Sequence, residues 1–146
     1  PDLIEPIKQL YALNKLKSKI ELRNQILLAG PDQPKAVSFT VHRNFLGSGM
    51  GAGKSWRSKV VEVPTTDYET LRKSFKPTVL IMDIEGAESE FFQHANLDGI
   101  RAIVVEFHPK VYGRDVMRAC KQILTDAGFE LLPCSTRLVC AMTRKL

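Results

Sequence analysis

The sequence is short of the features that mark several large protein classes. Cysteine is scarce, with only Cys120, Cys134 and Cys140 in 146 residues. An odd count without metal-type spacing argues against a disulfide framework or a zinc ribbon. Cys120 falls on the apolar face of an expected helix and reads as core. Cys134 and Cys140 read as free thiols, which fits a reducing compartment and a cytoplasmic location. No apolar run approaches the roughly 20 residues of a membrane-spanning helix. The opening Pro1-Asp2-Leu3-Ile4-Glu5 has neither the basic start nor the apolar core of a secretory leader. Internal repeats and low-complexity tracts are absent too. The net charge is +5, but the basic residues are scattered, and no dense basic stripe interleaved with aromatics points to a specific nucleic acid. What remains is an ordinary globular composition, 44% hydrophobic and 25% charged, long enough to bury a core.

Periodicity then gives the order of elements. Leu3-Ile4 reads as the end of an apolar strand. Pro6 suits the first turn of a helix, where its missing N–H has no partner to lose. Ile7, Leu10, Tyr11 and Leu16 recur at helical spacing. Residues 20–28 read as a strand ended by Ala29-Gly30-Pro31-Asp32. Val37, Phe39 and Val41 alternate with polar residues across 36–42, the period of a half-buried strand. A glycine-rich loop covers 47–53. Val60, Val61 and Val63 predict a strand stopped by Pro64. Asp67 caps a short helix ending near Ser74. Thr78 to Met82 predicts a strand buried on both faces of a parallel sheet. A short helix over 87–95, a buried strand over 100–107 and an amphipathic helix carrying Val116, Cys120, Ile123, Leu124 and Ala127 follow, with Gly128 closing that helix. Two final strands, 129–132 and 138–142, read as an antiparallel pair. Alternating strands and helices define an α/β domain with a mostly parallel sheet, and the whole of 1–146 reads as one domain.

In open α/β sheets, ligands bind at the carboxyl ends of the strands. Three polar clusters fall there: Glu5; Asp83, Glu85 and Glu88; and Glu106 with His108. Acids placed directly after buried apolar runs are costly unless paired or used. Glu88 lies in the first turn of a helix, where stabilisation of the helix dipole accounts for it. The cluster of Asp83, Glu85, Glu106 and His108 has the donors for a divalent ion, but no spaced motif demands one, and the expectation is no metal. Gly51-Ala52-Gly53-Lys54-Ser55 ends like a phosphate-binding loop. Ser48 stands where its first glycine belongs, and a strand rather than a helix is expected to follow, so a hairpin or substrate-side loop is the better reading.

Val79-Leu80-Ile81-Met82-Asp83-Ile84-Glu85-Gly86-Ala87-Glu88 resembles the signature of the FkbM methyltransferases, an apolar strand running into Asp-Val-Glu-Gly-Ala-Glu. Ile4-Glu5-Pro6 and the segment through Leu22-Arg23-Asn24 are similar to the family's region after its second strand. Ile103-Val104-Val105-Glu106-Phe107-His108 resembles its next strand. The resemblance implies a Rossmann-like fold with an antiparallel C-terminal hairpin, and an O-methyltransferase that uses S-adenosylmethionine on a hydroxyl of a sugar, glycan or natural product. It implies that Glu5 binds the cofactor's ribose hydroxyls and that Asp83 sits beside the sulfonium. Asp83, Glu85 and His108 become the candidates for catalysis, the last because an imidazole titrates near neutrality. Glu106 and His108 are the candidates for substrate contact. The family's glycine loop has no counterpart in these residues. The expectation is therefore an N-terminally truncated domain, self-associating through its exposed edge. A non-catalytic nucleotide- or sugar-binding domain and a metal-dependent hydrolase built on the acidic cluster are the alternatives.

Overall fold

The computed structural model describes residues 3–16, 19–42, 49–50 and 58–145. These form two compact units, one of residues 1–26 and 34–65 and the other of residues 27–33 and 66–146.

The first unit contains helix α1 (Ile4–Leu13) and most of a sheet with strand order β1-β4-β2-β3. Its strands are β1 (Ile26–Leu28), β2 (Ala36–His42), β3 (Gly49–Met50) and β4 (Ser58–Asp67). The boundary between the units falls within β1 and near the end of β4. β2 pairs antiparallel with β3 and with β4, in register from Ala36 opposite Pro64 to His42 opposite Ser58. The hairpin-like insert expected from the sequence is thus present.

Three expectations change in this region. Glu5 does not follow a strand, because the helix already begins at Ile4. The strand expected over 20–28 shrinks to its last three residues. Pro64 does not stop β4, since the neighbouring Thr65 N–H bonds to Lys35 O and the proline nitrogen then points away from β2, so no hydrogen bond to that strand is lost. The glycine-rich loop and the phosphate-loop look-alike lie, apart from β3, outside the described residues.

The second unit holds a sheet in the order β5-β6-β8-β7, made of β5 (Val79–Met82), β6 (Ala102–Glu106), β7 (Glu130–Leu131) and β8 (Val139–Thr143). β5 and β6 are parallel, and β8 runs antiparallel to both β6 and β7. The predicted antiparallel C-terminal hairpin is therefore β7–β8. The helices are α2 (Tyr68–Phe75), α3 (Glu88–His94), α4 (Pro109–Tyr112) and α5 (Arg114–Asp126). The four-residue α4 is absent from the sequence reading, although Pro109 at its start is a helix-opening signal.

The pleat decides what is buried. Register pairs Leu80 with Ile103 and Met82 with Val105, and Ile103 and Val105 with Met142 and Cys140 of β8. That face packs on Phe91 and Phe92 of α3 and on Met117, Cys120 and Leu124 of α5. Phe91 and Phe92 meet edge to face, and Tyr68 joins Phe91 in the same way. The opposite face is not covered: Ile81 is 81% exposed and Val79 is exposed as well. β5 is therefore not buried on both faces as its unbroken apolar run suggested: it is the edge strand of this sheet, and of its residues Leu80 and Met82 meet the core while Val79 and Ile81 do not. All three cysteines are free, with Cys120 and Cys140 in the core and Cys134 exposed.

Local capping fixes the helix ends. Gly128, with φ of 85°, ends α5 in a Schellman motif, where Phe129 N–H reaches Leu124 O and Gly128 N–H reaches Thr125 O. Asp67 caps α2 as expected, accepting from the N–H groups of Glu69 and Thr70 and from Gln33 Nε2. The Thr70 hydroxyl, Gln33 and these backbone donors hold its carboxyl down at about 2. Replacing Asp67 with alanine is expected to cost about 1 kcal/mol. A depressed carboxylate stabilises the fold above its ordinary titration range and loses that effect as pH falls through the folded value. The difference from wild type in urea unfolding should thus be full at pH 6 and close between pH 4 and 2. A difference independent of pH would sink the assignment.

Candidate functional site

The site forms where β5 and β6 end side by side. Their parallel register pairs Met82 with Val105. Continued past the strand ends, it sets Glu85 opposite His108, so groups distant in sequence become neighbours at the rim. Asp83 and Glu85 are exposed, while the His108 side chain keeps only 19% of its surface.

The turn after β5 has an unusual backbone. Glu85 has φ of 52° and Gly86 φ of 109°, and Ala87 N–H closes the turn onto Ile84 O. Glycine adopts such a conformation freely; glutamate holds it at a cost of about 1–3 kcal/mol, a kind of strain that concentrates at functional sites. The turn brings Glu85 Oε2 to 3.5 Å from His108 Nε2, while Asp83 Oδ1 lies 3.7 Å from the same nitrogen.

The other side of the imidazole is held from within. His108 Nδ1 lies 2.8 Å from Glu88 Oε1, and that oxygen also accepts from Gly86 N–H at 3.1 Å. Glu88 is fully buried, and its second oxygen has no hydrogen-bond partner. The His108 backbone N–H donates to the Tyr112 hydroxyl at 2.8 Å. Burial and the Glu88 carboxylate push the Tyr112 hydroxyl far up, so it stays protonated. Burial opposes charging of His108, but the Glu88 hydrogen bond and the charges of Glu88, Glu85 and Asp83 outweigh it and raise its pKa. With Nδ1–H directed at Glu88, a neutral ring presents the Nε2 lone pair to the two exposed carboxylates.

The sequence reading thus finds Asp83, Glu85 and His108 together. Glu106 ends β6, half-buried, outside the group formed by those three. Glu5 belongs to the other unit, where it pairs with Lys8 at 2.7 Å on the exposed face of α1. Glu88 was read as a helix-dipole residue, yet it is the buried partner of His108. A dipole role leaves a carboxylate in water, and burial is what sequence alone did not reveal. Its place as the last residue of the Asp83-Ile84-Glu85-Gly86-Ala87-Glu88 run is the available signal.

This α/β unit carries its acidic groups and an oriented histidine at the carboxyl ends of parallel strands, where open α/β sheets bind their ligands. A family model for the methyltransferase FkbM domain matches residues 3–131, and the chain belongs to that family. The family is one of methyltransferases, which generally draw the methyl group from S-adenosylmethionine. No curated protein and no solved structure matches the chain. None of the helices among the described residues is long and apolar enough to cross a membrane.

Proposed function

We propose that this chain is the C-terminal part of a Rossmann-like methyltransferase domain that transfers a methyl group from S-adenosylmethionine to a hydroxyl of a sugar, glycan or natural product. The observation that carries the reading is the family's Asp-x-Glu-Gly segment at the end of β5, set against an oriented histidine just after β6. The order β5-β6-β8-β7 with β8 antiparallel is compatible with it.

The chemistry follows from the donor. A sulfonium carries positive charge, so Asp83 and Glu85 attract it and hold its methyl near the acceptor. An alcohol is a weak nucleophile while protonated, and in this reading His108 Nε2 would take its proton as the methyl group passes from sulfur to oxygen. Glu88 stabilises the imidazolium that results. Glu106 at the neighbouring strand end is assigned to the acceptor, and Glu5 to the ribose hydroxyls, as a carboxylate accepting two hydrogen bonds. Val79 and Ile81 on the open face of β5 make self-association through that edge part of the same reading.

Calorimetric titration of S-adenosylhomocysteine tests it, using this chain and a version extended upstream. The expected result is binding by the extended protein, weakened by Glu5→Ala and Asp83→Asn. Absence of binding in both proteins removes the cofactor and with it the methyl-transfer reading.

A further inference from the structure

We infer that Asp83, Glu85 and His108 form a binding site for a divalent transition-metal ion of the Mn²⁺ or Zn²⁺ class. The inference goes beyond methyl transfer and stands or falls separately from it. One oxygen from each carboxylate and the imidazole nitrogen all lie within 4.8 Å of one another. The separations of 3.5 and 3.7 Å from Nε2 match two ligands placed about 2.1 Å from a common ion at a roughly tetrahedral angle. All three groups sit at the mouth of the rim, where exposed Asp83 and Glu85 leave an approach for a hydrated ion.

Two further observations separate this group from an ordinary patch of surface acids. The first is Glu88. A fully buried carboxylate on the far nitrogen of a ligating histidine is the usual outer partner of a metal-bound imidazole, fixing the tautomer and making the other nitrogen a better donor. Glu88 lies in the interior and takes Nδ1 at 2.8 Å. A carboxylate in that position is stabilised by positive charge reaching it through the ring. The second is charge. Three carboxylates surround one imidazole, and among the described residues no lysine or arginine is ion-paired with any of them. Even a protonated His108 leaves the cluster negative, and a divalent ion neutralises it.

The donor set names the class of ion. Two carboxylate oxygens with one imidazole nitrogen suit Mn²⁺ or Zn²⁺, whereas Mg²⁺ and Ca²⁺ prefer oxygen alone. The ion and the base role use the same lone pair. A bound ion would occupy that lone pair and would itself supply the Lewis-acid activation of a hydroxyl.

The test is Mn²⁺ titration of chelator-treated protein, followed by electron paramagnetic resonance of free Mn²⁺, with Mg²⁺ titrated alongside. One site is expected, binding Mn²⁺ at least about tenfold more tightly than Mg²⁺. His108→Ala and Asp83→Asn should abolish it, and Glu88→Gln should weaken it by about 10–100-fold. Circular dichroism confirms that each variant is folded, and exposed Asp83 tolerates replacement even if buried Glu88 does not. Mn²⁺ bound no more tightly than Mg²⁺, or bound equally by the folded Asp83→Asn protein, overturns the site. S-adenosylhomocysteine binding with no Mn²⁺ site defeats this inference alone; an Mn²⁺ site without S-adenosylhomocysteine binding defeats only the methyltransferase reading.

Discussion

Replacing Glu88 with glutamine is expected to lower the pKa of His108 in chelator-treated protein, and the cause is separable from loss of structure. Burial disfavours the imidazolium, and it is the Glu88 hydrogen bond, with the charges of Glu88, Glu85 and Asp83, that overcomes this. Glutamine keeps an oxygen for His108 Nδ1–H and Gly86 N–H but removes the buried charge, so burial gains the upper hand. A histidine whose folded pKa is raised contributes stability that is full below its ordinary value near 6.5. That contribution is lost as pH rises through the folded value. Wild type should therefore gain stability between pH 8.5 and 5.5 from this group, and Glu88→Gln should lose most of that gain. The alanine variant is the harsher one. It leaves the His108 and Gly86 donors without an acceptor, at about 1–3 kcal/mol for each buried group. In methyl transfer, a positioned base is worth about 10²–10⁴-fold, and a glutamine that no longer stabilises the imidazolium should forfeit part of that range. The measurement is the His108 ring-proton shift against pH by NMR, with urea unfolding at the two pH values. An unchanged His108 titration in Glu88→Gln would show that the buried carboxylate is not what sets the imidazole.

The same residue shows where sequence reading stops. The candidates Asp83, Glu85 and His108 were legible because an apolar run that ends in acids announces a strand delivering them to a ligand rim. Two adjacent parallel strands then place such ends together without further information. Glu88 was not legible, since a glutamate in the first turn of a helix has a sufficient explanation in the dipole. Its burial and its contact with His108 Nδ1 come from tertiary packing, which the local sequence does not show. Edge position was equally hidden. The run Val79 to Met82 looks the same whether helices cover one face or two, and in the structure Ile81 stands open while Met82 is buried. Glu5 was misplaced for a local reason. Leu3-Ile4 is too short for period-2 and period-3.6 patterns to differ, and the helix starts two residues before Pro6, the first helical position the proline suggested. The C-terminal elements were the most predictable, because α5 carries its apolar residues at unbroken helical spacing and ends on a glycine whose positive φ the Schellman motif uses.

Gly86→Ala is expected to be the most damaging small substitution in the site, at about 2–4 kcal/mol, from two distinct causes. Its φ of 109° lies where an L-residue is strained whatever the surrounding space. An added Cβ would also stand 2.8 Å from Val111 Cγ1 and 3.0 Å from Val111 Cβ, closer than carbon atoms approach without something moving. The causes separate in a double-mutant cycle, because Val111 is 66% exposed and its own truncation to alanine should cost no more than about 0.5 kcal/mol. In the double variant the part due to the two Val111 Cγ atoms should return, while the backbone part and the 3.0 Å approach to the Cβ that alanine keeps remain, giving a coupling of about 1 kcal/mol between the two positions. The consequence for the site follows from chain connectivity. Gly86 joins Glu85 to α3, and Val111 lies in α4 three residues beyond His108. Pushing these segments apart widens the distances from His108 to Glu85 and Glu88 together. Gly86→Ala should therefore weaken Mn²⁺ binding as well as lower the urea midpoint, and Val111→Ala in the same protein should restore the ion more fully than the stability. Simple additivity of the two substitutions would mean that α4 does not close on the turn, and that the buried Glu88–His108 contact owes its geometry to some other restraint.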